Sequence, residues 1–218
     1  VKRVLALVEG QTEEAFIGKC VAPHLWPLDV HIDAKIVQTR RVRAGPNDKG
    51  GVSSWNQIAR DLRLLLGDSN AVAVTTVLDY YGLPVDVPGM ATRPLGTPHH
   101  KVRYVQTAID AAIGDSRMHS NLLLHEFEAL LYSDPKKCGD YLSDQGLVAA
   151  MRAAIASCGA PELVNDDPLT APSKRILSVH PAYSKTLDGP SLAEEIGLAG
   201  IRSACPHFDG WLRWLEAL

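Results

Sequence analysis

The chain has 218 residues, 46% of them apolar, with 22 Lys or Arg against 25 Asp or Glu for a net charge of -3. That apolar share supports a packed core without staples, and the slight acidity excludes a global basic field for gripping nucleic acid, so any such contact has to be local. No run approaches the roughly 18 apolar residues that span a bilayer, and no basic-then-apolar leader opens the chain, which predicts a cytoplasmic protein without membrane association. Taken in order, Val4 to Val8 is a short apolar run suited to a central strand buried on both faces, broken by Gly10. Thr12 is placed to cap a helix whose Phe16, Ile17, Cys20 and Val21 share one face until Pro23 ends the pattern. His31 to Val37 alternates as a half-exposed strand. Arg40 to Lys49 (RRVRAGPNDK) follows as a basic loop, the best local candidate for a nucleic-acid contact, although arginines in a loop are more often a solvated surface.

Ser53 or Ser54 opens the next helix, with Trp55, Ile58, Leu62 and Leu65 at helical spacing and Gly67 as its stop. Ala71 to Leu78 (AVAVTTVL) is the strongest strand, rich in β-branched residues, and it ends at Asp79. The Gly- and Pro-rich loop from Tyr80 to Pro98 is long enough to be functional. Lys101 to Ile113 reads as a helix, and Asn121 to Leu124 as another short strand running into His125-Glu126-Phe127-Glu128 and a helical EALLYSD. Helices are then expected from Asp144 to Ser157 and from Trp211 to Leu218. Strands alternating with helices predict an α/β fold with a mostly parallel central sheet and helices on both faces, residues 1–135 forming the core and 136–218 a helical extension packed on it. The four cysteines are widely spread with no CxxC pair, so they are expected as buried thiols, and neither Cys205-Pro-His-Phe nor His180 matches a zinc spacing.

In open α/β sheets functional groups gather at the carboxyl ends of strands. Three acidic clusters sit at such ends: Glu9 with Glu13 in the following helical turn, Asp79, and Glu126 with Glu128, which a strand period of two places on one side if the strand continues that far. Taken singly, each acid also serves as a turn former, a cap or a helix-dipole partner. Gathered, they would resist ionisation unless a cation neutralised them, and such oxygen donors select Mg²⁺ or Mn²⁺. His125 and the pair His99-His100 lie near these acids in sequence, as proton shuttles or as structural residues.

The segment VEGQTEEAF resembles the opening motif of Toprim domains, the metal-binding modules of topoisomerases, primases and OLD-family nucleases. The longer series VEGQTEEAF, LDYYGLP, HEFEALLYSD, APSKRI and CPHFDGWLRWLE resembles a bacterial family known as domain of unknown function 4276. The resemblance implies a Toprim-like, Rossmann-like fold, with Glu9 matching the Toprim glutamate, Glu13 the acid four positions later in OLD-type nucleases, and Asp79 the first acid of the DxD pair. Tyr81 stands where the second acid belongs, leaving Glu126 or Glu128 to supply it. Lys174 is the implied counterpart of the lysine near the scissile phosphate. Glu9, Glu13, Asp79, Glu128 and Lys174 are thus the candidate catalytic residues, and Glu9, Glu13, Asp79, Glu126 and Glu128 the candidate metal ligands.

The function implied is a Mg²⁺- or Mn²⁺-dependent nuclease, in bacterial defence beside a neighbouring ATPase. A non-catalytic regulatory module that lost the second acid, and a phosphatase or phosphotransfer enzyme on a small substrate, use the same carboxylates. Partners, then, are nucleic acid and an ATPase, with the oligomeric state open.

Overall fold

A computed structural model describes residues 1–37, 54–165 and 170–218. The basic loop from Arg40 to Lys49, and Ser53, lie outside the described residues. Strand β1 (Lys2–Val8) is central: it pairs in parallel with β2 (Val30–Ile36) on one side and with β3 (Ala71–Asp79) on the other. β3 then pairs in parallel with two short strands, β4 (Met118–His119) and β5 (Leu122–Leu123). The expected parallel α/β sheet is therefore present, with order β2-β1-β3-β4 and β5 also on β3.

Alternation along β1 sorts its side chains between two cores. Val4, Ala6 and Val8 join one apolar cluster, Leu5 and Leu7 the other, so the strand is buried on both faces, as its unbroken apolar run predicts. On the second face pack helices α3 (Trp55–Leu66) and α4 (Pro98–Ile113), through Ile58 and Leu62 and through Val102, Val105 and Ile109. The first face receives α1 (Gln11–Phe16), which passes through a π-helical turn at Ile17–Val21 into α2 (Ala22–Leu25). It also receives the later helices α5 (Pro135–Tyr141), α6 (Gln145–Cys158), α7 (Pro172–Val179), α8 (Asp188–Ile196), α9 (Leu198–Ala204) and α10 (Pro206–Glu216). Phe16 is its keystone, meeting Phe127 edge-on at 5.2 Å and Phe208 at 5.8 Å between ring centroids. Each such fully buried aromatic contributes roughly 1.5–3 kcal/mol by leaving water. Trp211 pins α10 to the sheet, its Nε1–H donating to Thr75 Oγ1 at 3.0 Å in a buried contact.

Several local expectations are corrected. Pro23 does not end the first helix, because the wide turn before it closes a bond from the Ala22 N–H to the Ile17 carbonyl and the helix runs on past the ring. Gly10, not Thr12, is the N-cap, since the Glu13 side chain reaches back to the Gly10 N–H. Helix α4 begins three residues early, capped by Thr97, and α10 begins five residues early at Pro206, a residue at home in a first helical turn. The segment after β5 forms a 3-10 helix at Phe127–Ser133 instead of a continued strand, so strand periodicity is not what aligns Glu126 with Glu128. Cys20, Cys138 and Cys205 are buried as expected and Cys158 is half-buried. Among the described residues no helix is long and apolar enough to cross a membrane.

Candidate metal centre

β2 and β3 leave β1 on opposite sides, so the sheet order reverses at the carboxyl ends of β1 and β3 and opens a crevice there. Glu9 follows β1 directly, and its Oε2 accepts the Asp79 N–H at 3.4 Å, tying the two strand ends together. One turn on, Glu13 is buried at the N-terminus of α1, its Oε2 accepting the Gly10 N–H at 2.9 Å, where the helix dipole also favours a carboxylate. Asp79 Oδ1 accepts the Phe127 N–H at 3.1 Å, which starts the 3-10 helix and swings Glu126 and Glu128 over the same crevice.

Those last two acids are 1% and 2% exposed. Glu126 is fully engaged, taking the Ser173 N–H on Oε1 and, on Oε2, the Ser173 hydroxyl at 3.1 Å and the Lys185 ammonium at 3.2 Å. Glu128 Oε2 meets the same ammonium at 3.4 Å, while its Oε1 accepts the Tyr183 hydroxyl at 3.4 Å. The Lys185 side chain is 44% exposed, so its cation sits at the mouth of the crevice above two buried carboxylates.

Charge of one sign dominates. Burial raises the pKa of Glu9, Glu13 and Asp79 above the ordinary carboxylate range, and the neighbouring acids add repulsion to each. Burial and Glu126 push Glu128 up to about 7. For Lys185, burial acts to lower the pKa, but Glu128 and Glu126 outweigh it and raise it, so the ammonium stays protonated. Among the described residues, one lysine against five carboxylates leaves the site deficient in positive charge.

The donor set suits a hard divalent ion: all oxygen, excess negative charge, and each of Glu9, Glu13 and Asp79 oriented by a backbone N–H that holds one of its oxygens. It is not a preassembled cage, for among the described residues no three His, Cys, Asp or Glu side chains are grouped closely enough to hold a metal ion. An ion would have to draw the carboxylates inward, and the cation that holds Glu126 and Glu128 in this structure is Lys185.

The five carboxylates singled out from sequence thus lie within electrostatic reach of one another around one crevice, short of a coordinating group, while Lys174 lies on the exposed face of α7 next to Ser173. The cation on the carboxylates is Lys185, in the turn before α8, which no local pattern marks: it reaches acids 59 and 57 positions away. Tyr81 is 42% exposed at the rim, its phenol raised by burial and by Glu126 among other charges of the site. His125 is buried beside the crevice, whereas His99 faces His207 at 6.2 Å in a different part of the molecule.

A solved structure of the C-terminal region of the Xanthomonas campestris pv. campestris OLD protein is similar over 100% of this chain and 98% of that one, at 16% identity and a TM-score of 0.37. A likeness that distant carries no argument about chemistry. No curated protein matches the chain. The motifs from VEGQTEEAF to the closing helix, whose residues build both the crevice and the core beneath it, coincide with a family match over residues 8–216, and the chain belongs to the family described as domain of unknown function (DUF4276).

Proposed function

We propose that the chain is a Mg²⁺- or Mn²⁺-dependent phosphodiesterase of Toprim type, acting on nucleic acid. The observation that carries this reading is the convergence of Glu9, Glu13, Asp79, Glu126 and Glu128 at the switch point of the sheet, where their shared burial keeps them short of counter-charge. Glu9, Glu13, Asp79 and Glu128 would hold the ion, and Glu126 anchors Lys185. When bound, the ion neutralises phosphate charge and acts as a Lewis acid on the phosphoryl oxygen.

The chain's own groups supply the rest. Lys185 presents a protonated ammonium at the mouth, positioned by Glu126 and Glu128 to attract a phosphodiester and offset charge that builds on it. Lys174, one residue past Ser173 on α7, would extend that cationic rim toward the backbone of a long substrate. The Asp79–Phe127 bond ties the later acids to the β3 end, so that the carboxylates would be able to hold one ion without reorganising the sheet. The motif resemblance adds the proposed setting, bacterial defence beside an ATPase that delivers nucleic acid, in keeping with a net charge of -3 and no broad basic face in the composition.

Two measurements test the reading. Mg²⁺ or Mn²⁺ titration is expected to show binding that Glu9→Ala and Asp79→Ala each abolish; unchanged affinity in both removes the site. Cleavage of single- and double-stranded DNA and RNA with Mn²⁺ is expected from the wild type and not from Glu9→Ala. Metal binding without any product, with and without a neighbouring ATPase, would instead favour a regulatory module, the reading to which Tyr81 in place of a second acid points. Turnover of small phosphate esters alone would favour a phosphatase.

A further inference from the structure

Between α7 and α8 the chain runs along the mouth of the carboxylate crevice as a short turn, Tyr183 to Asp188. The turn closes on itself: the Ser184 N–H donates to Asp188 Oδ2 at 2.7 Å, and the Asp188 N–H to the Ser184 carbonyl at 2.8 Å. Lys185, Thr186 and Leu187 on it are exposed, whereas Tyr183 is buried in the core of the first face. It is seated on the elements that carry the acids. Thr12, next to Glu13, donates its hydroxyl to the Lys185 carbonyl at 3.4 Å. A Cβ added at Gly189, just past the turn, would come within 3.1 Å of Tyr183 Oη, 3.3 Å of Phe127 Cε1 and 3.5 Å of Thr12 Cγ2. The missing side chain at Gly189 is what lets the turn lie this close.

Glu128 is held differently from the acids at the strand ends. Glu9, Glu13 and Asp79 each rest on a backbone N–H. On Glu128, Oε1 takes the Tyr183 hydroxyl and Oε2 the Lys185 ammonium, both at 3.4 Å and both from the one turn. Contacts of that length are long for hydrogen bonds to a carboxylate, so each opens at little cost. Glu126 is held more firmly, by the Ser173 N–H and hydroxyl and by Lys185 at 3.2 Å. Of the five acids, Glu128 is thus the one whose place depends on a surface turn. Among the described residues no three such side chains are close enough to share an ion, so Glu128 has to leave its present partners to join Glu9, Glu13 and Asp79.

We propose that Tyr183 and Lys185 form a latch that withholds Glu128 from the metal site, so that metal binding and seating of the turn oppose each other. The inference rests on the metal centre proposed above and concerns its regulation. Latched, the ammonium compensates two buried carboxylates. Unlatched, Glu128 joins the other acids, and Lys185 keeps only Glu126 and the Thr12 contact, on a turn free to carry its charge toward a phosphodiester. If Tyr183 instead positioned Glu128 for the ion, the same hydroxyl would strengthen metal binding, which is an effect of opposite sign.

The test is isothermal titration of the full chain with Mn²⁺, comparing wild type with Tyr183→Phe, which removes one hydroxyl and no charge. The variant is expected to bind about threefold to tenfold more tightly, the worth of one competing hydrogen bond. Trypsin provides a second readout, because Lys185 is itself a cleavage site on the turn. Saturating Mn²⁺ is expected to speed cleavage after Lys185 about threefold or more relative to EDTA, read by mass spectrometry, as local opening becomes easier. Tyr183→Phe in EDTA is expected to be cleaved there at the faster rate already. Unchanged or weaker affinity in Tyr183→Phe, or protection of the bond after Lys185 by Mn²⁺, would overturn the latch and leave the metal centre standing. No Mn²⁺ binding by either protein would remove both.

Discussion

Glu128→Gln should make the metal-free protein more stable at pH 8 and leave it nearly unchanged at pH 4. The carboxyl is 2% exposed, and its pKa is pushed from 4.5 up to about 7 by burial and by Glu126. Between those values the folded chain holds a proton that the unfolded chain has released. Stability contributed by this group is thus full at low pH and falls as pH rises through the window from 4.5 to about 7. By pH 8 the loss amounts to roughly 3 kcal/mol. Glutamine keeps the shape and removes the ionisation. Because the neighbouring acids share the relief, the expected gain at pH 8 is about 1–3 kcal/mol, or about 2–10 °C in Tm for a chain of this size. Urea unfolding with EDTA at pH 4, 6 and 8 measures it. A variant less stable than the wild type at pH 8, or one that gains equally at pH 4, would refute the electrostatic account of the crevice. Mg²⁺ at pH 8 should raise the wild-type Tm by neutralising the same charge, and should raise that of Glu128→Gln by less.

Lys185→Met leaves Glu126 and Glu128 without their cation. Breaking a fully buried pair costs about 3–5 kcal/mol, and the half-exposed ammonium reduces that to about 1–3 kcal/mol, read by urea denaturation at pH 8; Mg²⁺ should recover more stability here than in the wild type, and an unchanged midpoint would show that the ion pairs contribute nothing. Gly139→Ala places a Cβ 2.1 Å from Val148 Cγ2 and 2.9 Å from the Asp144 carbonyl, where α5 meets α6. A loss of about 1–3 kcal/mol is expected, partly restored by Val148→Ala, and a wild-type Tm in the single variant would contradict the close approach.

How far the site was legible follows from the range of the forces involved. Glu9 and Asp79 could be placed because each follows an apolar run that only a doubly buried strand explains, and a carboxylate after such a strand lies at the open end of the sheet. Glu13 was visible for the same local reason, although its bond to Gly10 shows that it also serves the helix cap. Glu126 and Glu128 were correctly grouped by a route the structure does not use: the chain turns at Phe127, on a hydrogen bond to Asp79, 48 positions earlier. Pro23 misled because proline rules describe a regular α-helix, and a single π turn avoids the conflict.

The amino-acid sequence by itself determined the parallel α/β sheet, the two-faced core and the acids at the strand ends, because burial pattern and chain direction are local properties. Tertiary structure alone decided that Lys185 and not Lys174 caps the carboxylates, that Ser173 saturates Glu126, and that Tyr183 meets Glu128. Those outcomes depend on helices folding back over the sheet from far along the chain, and neither charge nor hydrogen-bonding capacity carries any mark of the partner it will meet.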